Sequence, residues 1–288
     1  MSQTAVAPSN DAQIDYWNTS AGETWARHQQ QLDRQLEVLG LEAMRVLAPA
    51  RGERILDIGC GCGETALQLA ARVGPSGAVV GVDISEPMLE VARRRAPVDG
   101  AARPEFRNLD AQTADLRAAD LGHAAFDGAF SRFGVMFFAD PAAAFANLRA
   151  ALKPGGRLAF VCWRAFQDNP WMREPMAAAA PLLPPMPPVD PTAPGPFAFA
   201  DAGRVRGALT DAGFSDIAID PFDARIGGSS VEETVNLTLR VGPLGRILRE
   251  IPHMADAVVG TVRSAIQPYE TPQGVLMPAA VWIVSATA

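Results

Sequence analysis

The sequence predicts an α/β protein with a mostly parallel sheet, wound by helices and covered by further helices. Three observations predict it. Residues 53–83 read as strand, glycine turn, helix, loop and second strand, ending on the carboxylate of Asp83. Strand and helix patterns then keep alternating as far as Trp163. Helical patterns at the start of the chain and again over residues 229–267, with a proline-dense stretch over 181–196, lie outside that alternation.

The elements follow in order. Residues 1–12 are polar and read as a disordered tail, without the basic segment and apolar core of a signal peptide. From Gln13 to Leu47 the pattern is helical, broken near Asn18 to Gly22, and carries Tyr16, Trp17, Trp25 and His28. Arg54 to Ile58 is apolar enough for a central strand buried on both faces. Gly59, Gly61 and Gly63 alternate with Cys60 and Cys62, so the backbone turns sharply and a ligand can reach main-chain atoms. The helix Glu64 to Val73 aims its first N–H groups at those glycines, which favours an anionic ligand group by roughly 0.3–1 kcal/mol. Ala78 to Val82 is the second strand, and Asp83 stands at its C-terminal end, where open α/β sheets bind ligands and a carboxylate accepts both hydroxyls of a ribose.

Beyond Asp83, Ser85 and Pro87 start a second helix as N-cap and first-turn residue, and Met88 lies on its apolar stripe. Glu105 to Leu109 is the third strand, followed by Asp110-Ala111, where Asp110 reads as a helix cap unless it serves a ligand. Phe126 to Ser131 is the fourth strand, Arg132 to Phe138 its loop, and Asp140-Pro141 starts a helix through Leu152. Lys153-Pro154-Gly155-Gly156 turns into strand five, Arg157 to Trp163. Residues 181–196 hold eight prolines and read as an extended strap over the ligand edge. A helix from Asp201 to Ala212 ends at Gly213, Asp216 to Ile219 is strand six, and Ala279 to Ser285 is the last strand, after an insert of about fifty residues.

The dinucleotide fingerprint G-x-G-x-x-G fails here, because counting from Gly59 its last position is Glu64; the spacing is G-x-G-x-G. With the acid that ends the next strand and the LKPGGRL run at Leu152 to Leu158, the sequence resembles the class I S-adenosylmethionine (SAM) methyltransferases, of the small-molecule type related to ubiquinone and menaquinone C-methyltransferases. The resemblance is firm over residues 53–163 and implies a Rossmann-like sheet of order 3-2-1-4-5-7-6, with strand seven antiparallel. It also implies a cap from residues 13–47, 165–200 and 229–267, the whole of 13–288 forming one domain. It implies SAM as cofactor, held by Asp57, Gly59, Gly61, Gly63, Asp83, Ile84, Met88, Asp110, Ala111 and Ser131, with Tyr16 and Trp25 closing over it. An aromatic face beside a sulfonium contributes about 0.5–2 kcal/mol. Acceptor contacts are expected from Arg132, Phe133, Met136, Trp163 and Trp171. His28 and His253 are the candidate bases, although methyl transfer from a sulfonium needs none if the acceptor is already deprotonated; His123 reads as a loop residue.

Composition narrows the acceptor. A net charge of −7 disfavours nucleic acid and anionic membrane, which need clustered Lys and Arg. After strand four the chain reads Ser-Arg-Phe-Gly, not the (D/N)-P-P-(Y/F/W) of enzymes that methylate nucleic-acid amino groups, and Asn169-Pro170-Trp171 has one proline and the wrong place. No apolar run approaches the roughly 18 residues of a membrane span, so a cytoplasmic enzyme acting on a small molecule is expected. Cys60, Cys62 and Cys162 have no second cluster at zinc spacing, so no metal is expected, and Cys62 is a candidate for oxidation. A NAD-dependent oxidoreductase and a SAM-binding protein without transferase activity are the rival readings. The oligomeric state, monomer or homodimer, is open.

Overall fold

The computed structural model describes residues 9–117, 125–185 and 190–288. The expected tail over residues 1–8, His123, and the Pro187-Pro188 part of the strap lie outside them.

Seven strands form the sheet in the order β3-β2-β1-β4-β5-β8-β6, with a two-residue β7 hairpinned onto β8. β1 (Arg54–Ile58) runs parallel between β2 (Ala78–Asp83) and β4 (Phe126–Arg132), with Ile55 facing Val79 on one side and Gly128 on the other. β3 (Glu105–Asn108) closes one edge; β5 (Leu152–Trp163) continues the parallel run on the other side. β8 (Gly274–Thr287) is antiparallel to both β5 and β6 (Ser215–Ser229). Setting the short β7 (Glu270–Thr271) aside, β8 is the expected seventh strand and the expected order holds.

Helices α1 (Asp11–Trp17), α2 (Ser20–Arg27) and α3 (Gln29–Leu47) precede the sheet. The expected disorder is therefore wrong at Asp11 and Ala12, which lie in α1, and Asn10 before them is buried and donates to Asp110 Oδ1 at 3.1 Å. α4 (Glu64–Val73), α5 (Glu86–Arg94) and α6 (Pro141–Ala151) are the crossovers. Asp140 caps α6 by accepting from the Ala143 N–H at 3.0 Å. Ser85 sits at the N-cap of α5 but its hydroxyl does not cap; it donates to the Trp17 carbonyl at 2.7 Å and ties α1 to the sheet edge.

Two further expectations change. The Lys153 to Gly156 run belongs to β5 as an irregularity, between the Phe126–Leu152 and Gly128–Arg157 pairs, and exchanges main-chain bonds with Ala288. β6 is fifteen residues long, not four, because it pairs only with β8 and an edge position tolerates Pro221.

α7 (Pro170–Ala179) follows β5 and runs into a 3₁₀ turn over Ala180–Leu182, so the start of the proline stretch is not extended. Asn169 explains the Asn-Pro-Trp run: fully buried, its carboxamide donates to Ala280 O at 3.1 Å and accepts from Ala280 N at 3.0 Å, fastening α7 to β8. α8 (Ala202–Asp211) covers the sheet again, and α9 (Val231–Thr238), α10 (Gly242–Glu250) and α11 (Ala255–Ile266) enclose a small core of their own around Val235, Leu248, Val258 and Val262. The main core includes Phe145, stacked on both Phe160 and Phe199.

Candidate active site

A cavity of about 170 Å³ opens at the C-terminal ends of β1, β2 and β4, where this kind of sheet leaves a crevice. One half of it is polar main chain and carboxylate. Asp83, nearly buried, accepts the Gly61 N–H on Oδ2 at 2.8 Å and the Ser85 N–H on Oδ1 at 2.8 Å. Burial pushes its pKa up to about 6, against the pull of those N–H donors. The Ile84 N–H adds a third donor, so of the roughly four lone-pair sites of the carboxylate about one is left for a ligand hydroxyl.

The three glycines do different work. A Cβ on Gly59 would lie 2.8 Å from Gly134 Cα, and one on Gly63 2.9 Å from the Phe106 ring, so both glycines let protein pack against protein. A Cβ on Gly61 would meet only Met88 Sδ, at 3.8 Å, so there the missing side chain leaves open cleft beside the main chain of the turn. That cradle and the Asp83 carboxylate fit the ribose and the adjoining chain of SAM.

Gly59, Gly61, Asp83, Ile84, Met88, Asp110, Ala111 and Trp25 line the cavity. Asp110 lines the cavity and caps a turn, not a helix, by accepting from Gln112 N at 3.0 Å. Four expected cofactor residues stand outside the cavity wall. Gly63 packs on Phe106. Asp57 is fully buried and accepts from Thr65 Oγ1 at 2.7 Å, so it braces the turn from behind; burial raises its pKa to about 7. Ser131 is buried, donates to Ile58 O at 2.8 Å and accepts from Gly134 N at 3.1 Å, holding β4 against the glycine turn. Tyr16 turns its hydroxyl to the cap, where it accepts from Arg249 Nη2 at 2.6 Å.

The other half is aromatic. All five expected acceptor residues, Arg132, Phe133, Met136, Trp163 and Trp171, line the cavity. Phe133 stacks on Trp163 with centroids 4.2 Å apart and planes 10° apart, and Trp163 leans on Trp171 at 4.9 Å. Phe133 adopts φ +64°, a left-handed conformation that costs a side chain of this kind about 1–2 kcal/mol, and the stack holds it there.

The histidines do not join them. His28 is outside the cavity wall, its Nε2 buried without a protein partner among the described residues, and burial together with Arg240 and Arg27 lowers its pKa. His253 is exposed in the 3₁₀ turn Pro252–Met254. Among the described residues no histidine lines the cavity. Burial and the nearby Asp33 and Asp83 push the Cys62 thiol up to about 12, which keeps it protonated and argues against the expected oxidation sensitivity. Among the described residues no group of three or more His, Cys, Asp or Glu is placed to hold a metal ion, and no helix is long and apolar enough to cross a membrane.

Sequence reasoning missed Trp17 and Asp33. Trp17 meets Trp25 and Phe137 edge-on at 5.7 and 5.2 Å and lines the cavity. It was visible as an aromatic beside Tyr16, but which of the two faces inward depends on the angle at which α1 lands. Asp33 accepts from Arg132 at 2.9 Å and from Arg95 at 3.2 Å, and Arg95 reaches on to the Cys62 carbonyl at 2.9 Å. Nothing local in the sequence joins residues so far apart.

Comparison with known proteins agrees with this geometry. A family model described as a methyltransferase domain matches residues 55–156. The O-methyltransferase cnsE of Penicillium expansum is 34% identical over 211 residues, covering 71% of this chain and 67% of that one. The aklanonic acid methyltransferase DauC of Streptomyces sp. strain C5 is 34% identical over 147 residues, 51% of this chain and 60% of that one. The first curated relatives are matched over half to two thirds of their own length. Among solved structures, phosphoethanolamine N-methyltransferase 2 of Haemonchus contortus in complex with SAM shares the fold, with TM-score 0.55 and 19% identity over 99% of this chain and 61% of that one. By its sheet order, its glycine turn and the relationship to cnsE, the chain belongs to the class I SAM-dependent methyltransferases.

Proposed function

We propose that this protein transfers a methyl group from SAM to a small, apolar or aromatic acceptor, and that it does so in the cytoplasm. One observation carries the reading: the cavity joins a carboxylate-and-glycine cradle to an aromatic wall, without a break between them. Bound in the cradle, SAM supplies a methyl group activated on a sulfonium. The chain's own residues position and exclude. Asp83 receives a ribose hydroxyl, Gly61 leaves room for the neighbouring atoms, and Asp110 faces the base. Trp17 and Trp25 cover the cleft, and Phe133, Trp163 and Trp171 offer flat apolar surface to the acceptor. Holding two reactants in line contributes about 7–11 kcal/mol, more than any one hydrogen bond in the site.

With no histidine on the cavity wall among the described residues, an acceptor that must lose a proton gives it to solvent or to a carboxylate of the wall, Asp33 being one. The names of cnsE and DauC, an O-methyltransferase and an aklanonic acid methyltransferase, support a small-molecule acceptor. The net charge of −7 favours such an acceptor over nucleic acid, and three unpaired thiols, two of them buried, suit a reducing compartment. The test is a screen of phenols, thiols, amines and quinone-like carbon acids, read as release of S-adenosylhomocysteine. Release with at least one class, dependent on acceptor, supports the reading. SAM binding with no release across the panel would favour a SAM-binding protein without transferase activity.

A further inference from the structure

β6 and β8 outrun the rest of the sheet. β5 pairs with β8 only from Trp163↔Val281 onward, whereas β6 stays paired with β8 back to Ser229↔Val275. This extension of β6 and β8, together with α3, α7 and α9, encloses a second cavity of about 30 Å³. Ile226 and Met277 come from the extension, and Leu237 and Thr238 from α9. The second cavity adjoins the first, with Leu32, Gln35, Trp171 and Val241 standing between the two and facing both.

Trp171 is the partition. It leans on Trp163 of the acceptor wall, and its indole N–H is buried without a protein partner among the described residues, so no hydrogen bond fixes the ring. The polar groups on the far side are mostly spent: Thr234 and Thr238 donate their hydroxyls back into the helix, to Ser230 O and Thr234 O, both at 2.8 Å. Gln35 and the Trp171 N–H are the polar groups left, against apolar atoms from Leu32, Ile226, Leu237, Val241, Val275 and Met277, so the larger part of the wall suits an apolar occupant.

We propose that the methyl acceptor carries a short unbranched apolar arm, and that the arm passes Trp171 into this second cavity. The inference rests on the methyl-transfer reading above. A water-sized occupant takes up roughly 10–15 Å³ on this measure, so the cavity admits about two to three carbons. The extension and α9 thereby act as a length gauge for the substrate.

The experiment uses the full chain loaded with S-adenosylhomocysteine and titrates it calorimetrically with β-naphthol and its ethyl, propyl and hexyl homologues. Binding is expected to tighten about fourfold for each buried methylene, the equivalent of about 0.8 kcal/mol, up to the propyl compound and to gain nothing further at hexyl. In Thr238→Leu the ratio of propyl to parent affinity is expected to fall below about twofold, with Thr234→Leu as a second filling variant should the first not fold. In Trp171→Ala the gain is expected to extend to the hexyl arm. A flat series in the wild type, whether all members bind alike or none binds, overturns the proposal, as does a gain that survives both filling variants. Failure to take up S-adenosylhomocysteine at all would overturn the methyl-transfer reading as well, whereas uptake with a flat series overturns only the second cavity's role.

Discussion

The two halves of the cavity are built by different means. The cofactor half comes from one short span, in which Asp83 reaches back 22 residues to the Gly61 N–H. Its contacts are directed hydrogen bonds on a rigid turn. The acceptor half draws Phe133, Trp163 and Trp171 from a loop, a strand end and a helix, and joins them by ring contacts. The first half selects by placing polar groups; the second selects by shape and apolar area. A substitution in the first should therefore change affinity for one ligand, while one in the second changes stability and acceptor choice together.

Trp163→Ala should give the largest effect. The ring is 5% exposed and packs into the main core, so its loss should cost about 3–5 kcal/mol of stability in urea denaturation. A loss under about 1 kcal/mol would mean the acceptor wall is not part of the core. Asp83→Ala should weaken SAM by about 1.5–3 kcal/mol, the scale of a hydrogen bond to a charged group. Unchanged SAM affinity would refute the placement of the ribose.

The buried carboxylates give the cofactor half a pH signature. Asp57 is raised from 3.8 to about 7, first by burial and opposed by the Thr65 hydrogen bond and Arg132; Asp83 is raised to about 6 in the same sense. The folded chain thus keeps protons that the unfolded chain releases. The resulting stability is fully present below about pH 4 and is lost as pH rises through 7, by on the order of a few kcal/mol. Urea midpoints measured across that window should fall with pH in the wild type and flatten in Asp57→Asn. Equal slopes in both would assign the effect to other groups.

The smallest effect tests the boundary between the halves. Tyr16→Phe removes the hydroxyl that accepts from Arg249 and leaves the ring in place. SAM affinity should change by less than about threefold, because Tyr16 faces the cap, and stability should drop by about 0.5–1.5 kcal/mol. A tenfold loss of SAM affinity would return Tyr16 to the cofactor site.

How much of this was legible in the sequence follows the same division. Glycine spacing and the acid after β2 act over a few residues, so the turn, the central strands and Asp83 are readable from order alone. Gly63 and Asp57 share that motif yet serve packing, as Ser131 does from the end of β4, a distinction made by a Cβ clash with Phe106 or by bonds to Thr65 and the Ile58 carbonyl, none of which spacing records. The length of β6 was hidden by Pro221, which an edge strand accepts and a central one does not. The Asp33–Arg132 pair and the inward turn of Trp17 depend on how α1 to α3 dock, so no local pattern encodes them.

The central claim is that the crevice between Gly61 and Asp83 is built for SAM. Calorimetric titration of the wild-type protein with SAM and, separately, with NAD tests it most directly. Saturable binding of SAM at one site per chain, with no heat from NAD, is the expected result. Binding of NAD in preference to SAM, or of neither, would contradict it.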